Sequence, residues 1–141
     1  MSSIKVVVDT NIFVSALFKS PSVPYIVVET IFENDDITIV YDDGMYLEYV
    51  RVLNKKKFNL PKKDIDRTIN QISEYGEKIE SFPQYAYFHD ESDKKFYEVF
   101  KTANADYLIT GNGKHFPEDD RIVSPREFVE LMNIETDDVG R

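Results

Sequence analysis

The 141-residue chain contains no cysteine. That absence excludes a disulfide framework, a thiol nucleophile, and zinc or iron–sulfur sites built on thiolates, and it fits a reducing compartment. Histidine is nearly missing as well. His89 and His115 stand far apart and lack the spacing of a helical His-x-x-x-His zinc site, so a histidine-rich metal centre is not expected. No apolar run reaches 18 residues, and the opening "MSSIK" lacks the organisation of a signal peptide. The expectation is a soluble, cytoplasmic protein with no membrane association. Positive charge is also short. Seventeen Lys and Arg face 26 Asp and Glu, a net charge of −9, which argues against a protein that coats duplex nucleic acid through a basic face. A nucleic-acid enzyme is not excluded, because a dense acidic site that recruits metal ions carries charge of this sign.

What is present supports one globular unit. The length matches a single domain of roughly 100–200 residues, and 42% hydrophobic with 13% aromatic residues is enough for a real core. Residues 1–134 are expected to form that domain, and the polar stretch 135–141 a frayed tail.

Periodicity orders the elements. "IKVVVD" is a short β-branched run of the kind found in buried parallel strands, followed by a short helix or loop over "NIFVSALF". A helix is expected from about Val23 to Glu33 and a second strand at Ile37–Val40. A further helix runs from Asp42 to near Asn54, with Met45, Tyr49, Val52 and Leu53 at helical spacing. After the basic run before Pro61, a longer helix carries Ile65, Ile69, Ile72 and Ile79 on one face. Another presents Phe96, Val99, Phe100 and Ala103. "DYLIT" and "RIVS" are strands, and the last helix starts at Ser124 as N-cap, with Pro125 at its first position and Glu127 completing a capping box. Strands alternating with helices imply right-handed crossovers and a mostly parallel central sheet inside a three-layer α/β/α sandwich.

The chemistry-bearing residues are acids. Asp9 interrupts two apolar segments at the end of the first strand. It is either the cap of the next segment or an acid held at the carboxyl end of a central strand, where open α/β sheets place ligands. Glu48 flanks the apolar stripe of its helix. Asp93 lies three residues before Phe96 at a helix start, where Asp93 or Ser92 can also serve as cap. After "DYLIT" come Gly111, suited to close backbone approach or positive φ, and Asn112, which offers a carbonyl oxygen. These four positions can reach one cleft. Clustered oxygen ligands suit Mg²⁺ or Mn²⁺, and the chemistry they imply is metal-assisted phosphoester hydrolysis. Asp106 reads as structural, Asp90 and Glu91 as neighbours of Asp93, and Asp119 and Asp120 as solvated loop residues. Arg51, Lys55, Lys56, Lys57, Lys94, Lys95 and Lys114 are candidate cations for substrate, with Lys94, Lys95 and Lys114 nearest the presumed cleft. His115 reads as a polar loop residue.

"VVVDTNIFVSALF", "YLEYVRVLNKKKF", "DESDKKFYEVFKTANADYLITGNGKHFP" and "IVSPREFVELM" occur in that order over almost the whole chain. In these segments the sequence resembles PIN-domain ribonucleases, and more narrowly the PIN-family toxin components of bacterial toxin–antitoxin systems. The resemblance implies an α/β/α sandwich, a Mg²⁺- or Mn²⁺-binding acidic cluster, and endonucleolytic cleavage of RNA to 5′-phosphate and 3′-hydroxyl ends. By matching position the metal-binding acids would be Asp9, Glu48 and Asp93, supported by Thr10, Asn11 and Thr110. Asn112 stands where the family has a fourth acid, which removes one negative charge. The alternative reading is therefore a catalytically weakened PIN-fold RNA-binding or regulatory module. A phosphatase of the haloacid dehalogenase type or a receiver domain fits less well, because "DTN" replaces the acid pattern each requires. The resemblance further implies an RNA substrate, a cognate antitoxin partner, and a homodimer or higher homo-oligomer, with Tyr85 and Tyr87 as apolar candidates for either surface or core.

Overall fold

Val6, Val7 and Val8 have no solvent exposure, as a central strand covered on both faces requires, and the rest of the sheet is assembled around them. The computed structural model describes residues 3–18 and 20–134; the expected tail at 135–141 lies outside them. In chain order the elements are β1 (Ile4–Val8), α1 (Thr10–Phe18), α2 (Val23–Glu33), β2 (Ile37–Tyr41), α3 (Asp43–Leu53), α4 (Lys62–Tyr75), β3 (Glu77–Lys78), α5 (Lys94–Thr102), β4 (Tyr107–Ile109), β5 (Ile122–Val123) and α6 (Pro125–Leu131).

The five strands run parallel in the order β3-β2-β1-β4-β5. Ile4 pairs with Ile37 on one side of β1, and Val8 with Ile109 on the other. Chain order therefore reverses between β1 and β4. Right-handed crossovers to either side of β1 put their helices on opposite faces. α5 lies over β1, β2 and β4, while α2 packs against β2, α1 and α6. The result is the three-layer α/β/α sandwich expected from the sequence, with an entirely parallel sheet. Among the described residues no single helix is long and apolar enough to cross a membrane.

The sequence pattern misses one strand. Periodicity places Ile79 on the long helix, but α4 stops at Tyr75 and residues 77–78 join the sheet edge beside β2. The cause is local. A Cβ at Gly76 would lie 2.5 Å from the Ile72 carbonyl oxygen, 2.8 Å from Tyr41 and 2.9 Å from Ile39, so the chain turns at a point where only glycine fits. Ile79 then donates its N–H to the Tyr41 carbonyl at 2.9 Å, as a strand residue does. The start of α6 matches the pattern closely: the Ser124 hydroxyl accepts the Glu127 N–H, and the Glu127 carboxylate accepts the Ser124 N–H.

Candidate active site

Asp9 comes directly after β1 and stands at the reversal point of the sheet, the place where α/β sheets present ligands. Its backbone N–H still pairs with Ile109, extending the β1–β4 ladder by one bond. Its side chain is 5% exposed, and Oδ2 accepts a 2.8 Å hydrogen bond from the Thr110 hydroxyl at the end of β4. Hydrogen bonds from the backbone of Thr10 and Asn11, at the start of α1, favour the charged form. Capping and site placement are thus combined in one carboxylate. Burial outweighs these bonds and raises its pKa, and the nearby charge of Glu48 raises it further.

α3 grips the exit of β1 with two consecutive side chains. The Tyr49 hydroxyl, fully buried, donates to the Val8 carbonyl at 2.5 Å, and its ring meets Phe13 edge to face at 5.0 Å. Glu48, the preceding residue, accepts from the Thr10 hydroxyl at 2.6 Å. Val8 and Thr10 flank Asp9, so the helix brackets the acid from both sides. The other Glu48 oxygen pairs with the Lys95 ammonium at 2.8 Å, and Lys95 also donates to the Ser92 carbonyl at 2.6 Å. The ammonium of Lys95 is therefore engaged by an acid of the site.

Asp93 occupies the N-cap position of α5, yet its side chain makes no capping bond. Asp90 instead accepts from the Ser92 N–H and hydroxyl, fixing the 3₁₀ turn that leads into the helix. Freed from capping, the Asp93 carboxyl is mostly covered and faces His115, whose Nδ1 lies 3.8 Å from Oδ2. Burial raises the Asp93 pKa first, then the charges of Asp9 and Asp90; His115 acts in the opposite direction. The Thr110 hydroxyl also accepts the Asn112 N–H at 3.0 Å, so one hydroxyl connects Asp9 to the loop that carries Asn112. Gly111 needs neither of the liberties expected of it. Its φ is not positive, and an added Cβ would meet nothing within 4 Å.

Asp9, Thr10, Asn11, Glu48, Asp93 and Asn112 all line one open cleft of about 310 Å³, together with Asp90, Ser92 and His115. Its cations are Arg51, Lys55 and Lys57, contributed by the end of α3 and the turn after it, with Val52 and Phe58 as the apolar part of that wall. Lys94 and Lys114 are not among its lining residues. The basic run in "RVLNKKKF" gave some signal for this wall, since Arg51 lies on the helix that carries Glu48 and Lys55 and Lys57 follow its end. Phe58 gave none.

Other acids are used structurally. Asp106 accepts the Lys5 N–H at 2.8 Å and donates its own N–H to the Lys5 carbonyl, closing the start of β4 onto β1. Asp119 departs from the solvated role expected of it. It accepts from the Arg121 backbone, Nε and terminal guanidinium nitrogens at 2.9–3.1 Å, and its pKa falls as a result. An arginine two residues on, in the turn just before β5, explains the difference.

The donor set at the cleft is carboxylate, hydroxyl and amide oxygen, the chemistry preferred by Mg²⁺ and Mn²⁺. Among the described residues no three acids form a closed ligating cluster; they border an open cleft, and Mg²⁺ commonly keeps several waters. The pKa values of Asp9 and Asp93 are raised by burial first and by neighbouring carboxylates second, and a cation in the cleft would offset both. The donor set fits such an ion.

The fold is an all-parallel α/β/α sandwich with an acidic cleft at its reversal point. The family model described as the PIN domain matches residues 5–114, from β1 through the turn after Asn112, and the chain belongs to the PIN-domain family. PIN domains are in general nucleases and commonly use divalent metal ions. No curated protein matches the chain.

Proposed function

We propose that the chain is a Mg²⁺- or Mn²⁺-dependent endoribonuclease, hydrolysing RNA phosphodiester bonds as the toxin component of a toxin–antitoxin system. The observation that carries the nuclease reading is the convergence of Asp9, Glu48 and Asp93 from three separate elements on one cleft at the sheet's reversal point. The toxin role rests on the sequence resemblance, and with it the cognate antitoxin and the self-association proposed as partners. Tyr85 and Tyr87, both exposed, offer apolar surface for such contacts.

In this reading Asp9, Glu48 and Asp93 hold the ion, and the Asn112 amide oxygen supplements them. A bound divalent ion supplies activation of water and stabilisation of the leaving oxygen. Arg51, Lys55 and Lys57 draw the phosphate backbone into the cleft and orient it. Thr10 and Thr110 hold the acids in place before substrate arrives, so little reorganisation remains for the reaction. His115 borders Asp93 and is assigned no proton transfer.

Two observations favour the second reading, a weakened RNA-binding or regulatory module. Asn112 brings no charge, and Lys95 neutralises part of Glu48. Cleavage of a mixed single-stranded RNA in Mn²⁺ or Mg²⁺, by wild type, Asp9→Asn and Asn112→Asp, separates the two. Metal-dependent cleavage by wild type that is lost in Asp9→Asn supports the nuclease. Activity that appears only in Asn112→Asp supports the weakened module.

A further inference from the structure

Phe58 lines two hollows at once. One is the acidic cleft; the other is an apolar hollow of about 440 Å³ formed with Val14, Phe18, Ser22 and Pro24. The volume lies in the range of small-ligand pockets, roughly 300–1,000 Å³. Phe18 is 68% exposed there. The cations of the cleft gather on the same side: Arg51 and Lys55 precede Phe58, and the Lys57 ammonium sits 5.2 Å from the centre of the Phe58 ring.

We propose that this hollow is a subsite for an unpaired nucleobase of the RNA strand whose phosphate lies in the cleft. The inference rests on the nuclease reading and adds the place where a base next to the scissile bond is held. Alternating aromatic faces and cations are the general means of holding single strands, with bases stacked on rings and phosphates on ammonium or guanidinium groups. The arrangement here has that order within a few residues: Lys57 for a phosphate, Phe58 for the adjoining base, Phe18 across the hollow. The Ser22 hydroxyl already accepts the Tyr25 N–H, so its own proton is available to a carbonyl on the base edge. A duplex cannot present a base to this hollow without unpairing it. In a chain of net charge −9, positive groups concentrated beside one apolar hollow match a polyanion with flat apolar rings better than an acidic surface of a second copy.

The test uses the full chain carrying Asp9→Asn, so that RNA is bound and not cut, and a single-stranded oligoribonucleotide with one 2-aminopurine. Stacking is expected to quench the 2-aminopurine fluorescence. Phe58→Leu and, separately, Phe18→Ser should abolish most of the quenching and weaken binding about 5- to 150-fold, the range that stacking one base contributes. Arg51→Gln should weaken binding while leaving the bound base quenched. RNA that binds with unquenched 2-aminopurine, or with affinity unchanged in both phenylalanine variants, overturns the subsite and leaves the nuclease reading standing. Equal affinity for a blunt duplex does the same, as does a change in sedimenting mass in the phenylalanine variants without a change in RNA affinity, which would assign the hollow to self-association. A background protein that binds no oligonucleotide overturns both. Phe18 is exposed and its replacement leaves the core untouched, so a folding defect in Phe58→Leu does not remove the test.

Discussion

Asp9 is held where its charge is least comfortable. Its carboxyl titrates above the ordinary 3.8 because burial and Glu48 oppose ionisation. A carboxyl with a raised folded pKa lowers stability at every pH above that raised value, and the penalty fades as pH falls toward 3.8. Asp9→Asn should therefore stabilise the metal-free protein near neutral pH, raising Tm by about 2–4 °C. The gain over wild type should shrink as pH falls through the raised pKa toward 3.8, as thermal melts at successively lower pH would show. The same substitution should lower cleavage by about 100-fold or more, the effect of losing several kcal/mol of charge stabilisation. Added Mn²⁺ should raise the Tm of wild type, since a ligand that binds only the folded state stabilises it, and should do so far less in Asp9→Asn. Asp9 itself was legible because a carboxylate between two apolar runs has few explanations. The partners that set its pKa were not, since Thr110 lies 101 residues away and no local pattern connects them. Lys95 shows the same limit: its sequence position suggested substrate, while its ammonium is tied to Glu48, 47 residues distant.

Among the elements, α3 and the turn after α4 carry the most consequence. Tyr49→Phe removes the donor to the buried Val8 carbonyl, and an orphaned buried acceptor costs about 1–3 kcal/mol. Urea unfolding should show that loss, accompanied by weaker metal binding because Glu48 and Asp9 lose their common clamp. Gly76→Ala should destabilise by about 1–3 kcal/mol, since its Cβ would overlap the Ile72 carbonyl and the Tyr41 and Ile39 side chains; the midpoint of the same titration reads it. Long periodic segments were readable because their burial tracks one face: α5 buries Phe96, Val99 and Phe100 as the spacing requires. β3 was not readable, because two exposed residues, Glu77 and Lys78, carry no strand pattern. Their pairing is decided by the neighbouring edge of β2 and by the space available at Gly76, both matters of tertiary packing.

Across the whole molecule, negative charge dominates and the cleft's positive groups are few. If Arg51, Lys55 and Lys57 are the main phosphate contacts, the logarithm of RNA affinity should fall with the logarithm of salt at a slope of about −2, from roughly 0.7 per contact on single strands. A slope near zero, measured by anisotropy between about 50 and 300 mM salt, would remove that wall from the binding surface. The site also draws on the full span of the chain. Asp9 and Thr10 come from its start and Glu48 from its first half, whereas Asp93, Thr110, Asn112 and His115 all lie beyond residue 90. A polypeptide emerging from the ribosome presents its N-terminal portion first. Its first 90 residues contain two of the three acids and lack the strand that supplies the Thr110 hydroxyl. If the proposed site is the catalytic one, competence arrives late in synthesis, and a nascent fragment beside the ribosome's own RNA is an unarmed one.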